Sequence, residues 1–85
     1  MRQCAKVRKT AETEISVNLN IDGEGKYKIN TGINFLNHML EQFAHHSGIN
    51  LEINAVSLDK DSHHIVEDIA ITLGSAISEA LGDKK

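Results

Sequence analysis

Glu14-Ile15-Ser16-Val17-Asn18-Leu19-Asn20-Ile21 alternates without a break. Ile15, Val17, Leu19 and Ile21 share one face and the polar residues share the other, the pattern of a strand with one side buried. Downstream, Asp22-Gly23-Glu24-Gly25 has the composition of a turn. Lys26 to Asn30, with Tyr27 and Ile29 on one face, reads as the returning strand, so the two strands are expected to form an antiparallel hairpin. Upstream, Cys4 to Arg8 reads as a short edge strand. Further along, Leu51, Ile53 and Ala55 alternate again and predict another strand.

Two segments change period. After Thr31-Gly32, which is expected to open a helix, Leu36, Met39, Leu40 and Phe43 recur at helical spacing. Gly48 is a natural stop. Asp59 to Ser62 reads as a polar loop in which Asp61 or Ser62 caps a second helix, from about His63 to Leu81. Its apolar set is Ile65, Ile69, Leu73, Ala76, Ile77 and Ala80, with Val66, Ala70 and Ile71 beside it. That stripe is wider than one sheet face requires and predicts a second buried contact, with another subunit. The order strand, strand, helix, strand, helix predicts an α+β two-layer sandwich: a mostly antiparallel sheet with both helices on one face.

Composition narrows the function. Eighty-five residues allow one domain, 1–85. With 40% apolar and 25% charged residues the chain has the balance of a water-soluble globular protein. Its apolar runs fall far short of the ~20 residues that span a bilayer, so no membrane partner is expected. The start, Met1-Arg2-Gln3-Cys4-Ala5-Lys6, lacks the apolar centre of a secretory signal. The one cysteine excludes an internal disulfide framework and suits a reducing compartment, so the expected location is cytoplasmic. A net charge of −3, with only Arg2, Lys6, Arg8 and Lys9 clustered near the start, gives no reason to expect nucleic acid. A chain this small buries only about 60% of its unfolded surface. It has no Trp, one Tyr and two Phe, so metal, oligomerisation or both are expected to support it.

The unusual feature is five histidines, all between positions 38 and 64. His63, His64, Glu67 and Asp68 start the second helix. Residues i and i+4 lie nearly one above the other, so His63 and Glu67 can close on one metal ion. His64 points elsewhere and pairs by spacing with Asp68, or with His38 if the helices lie side by side. Neither pair completes a site. Two copies facing each other would supply three imidazoles and a carboxylate, a set that suits Mn, Fe, Co or Zn, and this predicts a symmetric oligomer with metal at the interface. Plainer roles compete with this. The spacing HHxxE is not the metalloprotease HExxH. His38 alone can be structural. One of His45 and His46 can serve as a favourable charge at a helix C-terminus, and Asp68 as one near an N-terminus. Cys4 reads as a small core residue.

Arg8-Lys9-Thr10-Ala11-Glu12-Thr13, Asp22-Gly23, Thr31 to Leu40 (TGINFLNHML), Asp61 to Ile69 (DSHHIVEDI) and Ala80 to Lys84 (ALGDK) resemble, in order and over almost the whole chain, the imidazoleglycerol-phosphate dehydratase family. The resemblance implies a hydro-lyase of histidine biosynthesis that converts imidazoleglycerol phosphate to imidazoleacetol phosphate with two Mn²⁺ ions. It implies a ribosomal-S5-domain-2-like half-domain, equivalent to one half of a dehydratase subunit. By position it implies that His38 and His64 bind one metal and that His63 and Glu67 bind the second or a symmetry-related one. Glu12 matches a substrate-contacting glutamate and candidate general base. Glu12 and Glu67 are thus the catalytic candidates, and Glu12, His38, His46, His63, His64 and Glu67 the substrate-contacting ones.

Three departures matter. The chain ends about where the family's first half ends, and the arginines and lysines that hold the substrate phosphate have no counterpart in it. Asn37 stands where many members have Asp. The loop from Ala55 to His63 is about one residue shorter than is usual. The expected function is therefore a half-length dehydratase whose metal sites are completed between copies, with a homo-oligomer or a second half-domain as partner. The alternatives are a catalytically incomplete metal-binding homo-oligomer and a non-catalytic structural or interaction domain.

Overall fold

The order of elements is β1 (Gln3–Lys9), β2 (Thr13–Asn20), β3 (Tyr27–Asn30), α1 (Asn34–Ser47), β4 (Asn50–Ser57) and α2 (Ser62–Leu81). The computed structural model describes residues 2–58 and 62–82, and for residues 62 and 63 the backbone alone. The expected cap at Asp61 or Ser62 lies outside the described residues and side chains. The sheet order is β1-β2-β4-β3. β1 and β2 pair antiparallel, β2 and β4 pair antiparallel, and β3 lies parallel to β4. Both helices contribute to the core on one face of this sheet, so the α+β two-layer sandwich stands.

The expected hairpin of β2 with β3 does not form. Strand β4 lies between them, and β2 makes its hairpin with β1. Residues 21–26 do not reverse tightly but cross the start of β4. The Asn50 side-chain oxygen accepts from the Glu24 and Lys26 backbone N–H groups at 2.9 and 3.0 Å. The Lys26 carbonyl accepts from Leu51 N at 2.9 Å, and the Gly48 carbonyl accepts from Gly25 N at 3.0 Å. A Cβ at Gly23 would collide with Asn50. The physical reason is that alternation specifies which face of a strand is buried and is silent about which strand lies beside it. β4 buries Leu51, Ile53 and Ala55, and a strand this deep needs partners for its backbone on both edges. β2 supplies one edge. β3 supplies the other in parallel, with α1 as the crossover that parallel pairing demands.

Register runs cleanly across the sheet. Lys6, Val17, Ile53 and Ile29 form one inward row, and Cys4, Leu19, Leu51 and Tyr27 the next. Against these rows α1 buries Leu40 and Ala44, and α2 buries Ile65, Ile69, Ala76 and Ala80. The outward face carries Ser16, Asn18, Glu52 and Asn54, all exposed.

β1 is a full edge strand, longer than the stretch expected. Its inward positions are Cys4, Lys6 and Arg8. Cys4 is buried, as read from the sequence, and its thiol is pushed up chiefly by burial. Lys6 and Arg8 run their stems along the core edge and pair with α2: Lys6 Nζ with Glu79 at 2.5 Å and Arg8 Nε with Asp68 at 3.1 Å.

α1 begins at Asn34, not at Thr31-Gly32. Gly32 has φ 79°, which breaks the helix before it starts. The Asn37 side-chain oxygen accepts from both Thr31 N (2.8 Å) and Thr31 Oγ1 (2.5 Å) and fixes this turn. Both bonds use an acceptor oxygen that Asp would also offer, so Asn at this position keeps the turn. The helix ends as expected: Gly48 is left-handed at φ 77° and donates to the Ala44 carbonyl at 3.1 Å.

Ile53 sits mid-row at 1% exposure. Ile53→Ala is expected to cost about 2–5 kcal/mol in urea unfolding. Val56→Ala, at an exposed position of the same strand, is expected to change stability by no more than ~0.5 kcal/mol.

Candidate functional site

The described donors lie on the first turns of α2, on α1 and in the β1–β2 turn. On α2, His64 is half-buried and Glu67 exposed, and their i, i+3 spacing puts them on neighbouring parts of one edge. The expected closure of His63 with Glu67 lies outside the described side chains, because His63 is known by its backbone only. Asp68 completes this edge but has a more specific task than offsetting a helix dipole. It lies beyond the first turn of α2, and its carboxylate accepts from Thr13 Oγ1 at 2.6 Å and from Arg8 Nε at 3.1 Å. Its side chain is only 14% exposed. The Thr13 hydrogen bond holds the Asp68 carboxyl below the usual carboxylate range. Arg8 and the nearby His64 act in the same direction, and partial burial opposes them.

Glu12 sits in the turn between β1 and β2 and is half-buried. Its N–H donates to Thr10 Oγ1 at 3.1 Å and its carbonyl accepts from Leu58 N at 2.7 Å. The neighbouring acid, Glu14, points to the outer face of the sheet and is exposed. Glu12 is therefore the acid of this pair that remains available near α2.

His38 is exposed and is not a core histidine. α1 and α2 lie side by side, with Leu36, Met39, Leu40 and Phe43 of α1 facing Ala70, Leu73, Gly74 and Ile77 of α2 across a groove of about 420 Å³. His38 is two residues from Leu36, roughly 200° around α1, and so lies on the flank away from that groove. By the same rotation His64 and Asp68 lie on the flank of α2 away from α1, where Asp68 meets β1 and β2. Lying side by side therefore does not bring His38 to His64, because the helices turn these residues to opposite flanks. Among the described residues no three His, Cys, Asp or Glu side chains gather into a metal-holding group. His45 and His46 occupy the last turn of α1, exposed, with ring centroids 5.2 Å apart in an edge-on arrangement.

The donors suit a borderline divalent ion: imidazole nitrogen and carboxylate oxygen serve Mn, Fe, Co and Zn alike. Among the described residues they come as partial sets. The groove was foreshadowed by the wide apolar stripe of α2. Thr13 and Arg8 had no signal as partners of Asp68 beyond their place in the RKTAET block.

In architecture the chain matches one part of a larger α+β enzyme. It aligns with the crystal structure of imidazoleglycerol-phosphate dehydratase from Staphylococcus aureus subsp. aureus N315 at a TM-score of 0.76 and 37% identity, covering 98% of this chain and 44% of that one. The family model described as imidazoleglycerol-phosphate dehydratase matches residues 31–85. Curated relatives of the same name include those of Clostridium novyi (strain NT), 56% identical over 85 residues, and Methanothermobacter thermautotrophicus, 54% identical over 85 residues. Each match covers 99% of this chain, and 43% and 44% of those proteins respectively. The chain belongs to the imidazoleglycerol-phosphate dehydratase family, and it spans less than half the length of the relatives it matches.

The depressed Asp68 carboxyl has a measurable consequence. A group held low in the folded state contributes stability that is fully present above its unfolded pKa, about 4, and is lost as pH falls through the folded value. The melting temperature of the metal-free chain should therefore drop below about pH 4. Asp68→Asn should lower it at neutral pH and flatten that acid slope, as read by thermal unfolding between neutral and acid pH.

Proposed function

We propose that this chain is the metal-binding half of an imidazoleglycerol-phosphate dehydratase and that its sites are completed between copies. The observation that carries the reading is the donor edge of α2, His64 and Glu67, on a chain 56% identical to a named dehydratase. In this reading His63, His64 and Glu67 of one copy and His38 of its neighbour supply the ligands for Mn²⁺. The opposite-flank placement of His38 and His64 supports a contact between copies over a site within one. The uncharged groove between α1 and α2 supports a second contact, helix layer on helix layer. Met39, on its wall, is more than half exposed.

The reaction removes water from imidazoleglycerol phosphate to give imidazoleacetol phosphate, in histidine biosynthesis. Glu12 takes the proton from carbon, a role suited to a carboxylate held on a fixed turn. The bound divalent ion supplies positive charge against which the developing negative charge is stabilised. His46, at the end of α1, contacts the substrate. Arg8 Nε is engaged by Asp68, so Arg8 is poorly placed to hold the substrate phosphate. Binding of that phosphate therefore depends on basic groups outside this pair. The enzyme works in the cytoplasm.

Native mass spectrometry with Mn²⁺ and after chelation tests the reading. The expected result is a symmetric assembly carrying about one Mn²⁺ per chain that loses metal in the His64→Ala/Glu67→Ala double variant. A dehydration assay on the loaded assembly then measures turnover. A metal-free monomer at all Mn²⁺ concentrations, or unchanged metal content in the double variant, overturns it.

A further inference from the structure

Four residues of the RKTAET and DSHHIVEDI blocks have no task in the chemistry above: Arg8, Thr10, Thr13 and Asp68. The structure joins them. Asp68 as a carboxylate can only accept, so Thr13 Oγ1 donates to it at 2.6 Å. Thr13 then accepts from Thr10 Oγ1 at 3.1 Å, since its own proton is already used. Thr10 Oγ1 accepts in turn from Glu12 N at 3.1 Å and from Thr13 N at 3.0 Å. The result is one directed chain, Glu12 N–H to Thr10 to Thr13 to Asp68. Arg8 Nε holds the other oxygen of Asp68 at 3.1 Å. Thr13 is fully buried, so this chain runs where water competes least. Asp68 directly follows Glu67 and lies one helical turn after His64.

We propose that the Thr10–Thr13–Asp68–Arg8 chain is a latch that holds the Glu12 turn at a fixed distance from the His64–Glu67 edge of α2, making Thr13 and Asp68 positioning residues for the proton-abstracting carboxylate. Its catalytic part rests on the function proposed above, while its mechanical part stands on the geometry alone. Without the latch the turn keeps its tie from the Glu12 carbonyl to Leu58 N, but that tie leads to the end of β4 and not to α2. The metal-edge residues and the base would then move independently, and proximity would be lost at the reacting carbon.

Thr13→Val removes the donor and keeps the shape, whereas Thr13→Ser keeps the donor. Amide hydrogen exchange and steady-state kinetics on the Mn²⁺-loaded chain read the two parts separately. In Thr13→Val the amides of Glu12 and Thr13 should exchange about tenfold faster or more, as expected for loss of a hydrogen bond to a charged group, while Val17 and Ile53 in the sheet centre keep their protection. The kcat should fall by about tenfold, with KM and Mn²⁺ per chain unchanged. Thr13→Ser should restore both. Arg8→Gln, at a half-exposed position, should move both readouts the same way by a smaller factor and covers the case in which Thr13→Val does not fold.

Equal exchange in Thr13→Val and the parent chain overturns the latch. Equal losses in Thr13→Val and Thr13→Ser, or a change in KM and metal content in step with kcat, overturn the positioning role. If the parent chain takes up no Mn²⁺ and dehydrates nothing, the proposed function fails and the positioning role fails with it. The exchange comparison still decides the latch.

Discussion

β4 is the strand on which the molecule turns. It is paired along both edges, antiparallel to β2 and parallel to β3, and its buried residues Leu51, Ile53 and Ala55 sit under the helical layer. Because one of its neighbours runs parallel, a crossover must connect them, and α1 is that crossover. Because the other neighbour runs antiparallel, β2 is oriented so that its own start, at Thr13, lies beside the end of β4. That is where the Glu12 carbonyl meets Leu58 N. The turn that carries Glu12 is thus tied to the end of β4, while its link to α2 runs through Thr13 and Asp68.

Much of this was legible in the chain. Alternation located β2 and β4 and told which face of each is buried, because the side-chain period of a strand admits one answer once a face is apolar. Gly48 marked the end of α1 through its left-handed backbone. Two things were hidden, for different reasons. The neighbour of β3 was hidden because four residues with one half-buried Ile29 satisfy either partner equally well. The full length of β1 was hidden because its end positions, Gln3 and Lys9, are polar and carry no apolar signal, and Lys6 and Arg8 weaken the pattern between them. Their charges break the apolar signal, although both side chains serve the core edge through pairs with Glu79 and Asp68.

The site divides in the same way. Spacing separated the parts of α2 that His63–Glu67 and His64–Asp68 occupy, since helical rotation is fixed. Spacing could not say on which flank of the helical layer His38 would lie, because that depends on which strands each helix covers. Nor could it pair Asp68 with Thr13, fifty-five positions away. Thr13 stood just before the strand read from Glu14, and its value as a buried donor emerges only when α2 is laid across β1 and β2.

The two broad sides of this slab, 37 × 26 × 17 Å in extent, are chemically unlike. The outer side of the sheet is mainly polar, with Ser16, Asn18, Glu52 and Asn54 along its centre, while the helical side opens an apolar groove. In the proposed assembly such a body would have a valence of one in that direction: layer would join layer once, and the outward sheets would close the stack. Growth of that assembly beyond two such units would then proceed through the narrow flanks, where His38 on one side and His64 on the other stand as unlike ends. Contacts between unlike ends propagate around a ring or along a filament, so the geometry at those flanks would govern whether the proposed assembly has a finite size.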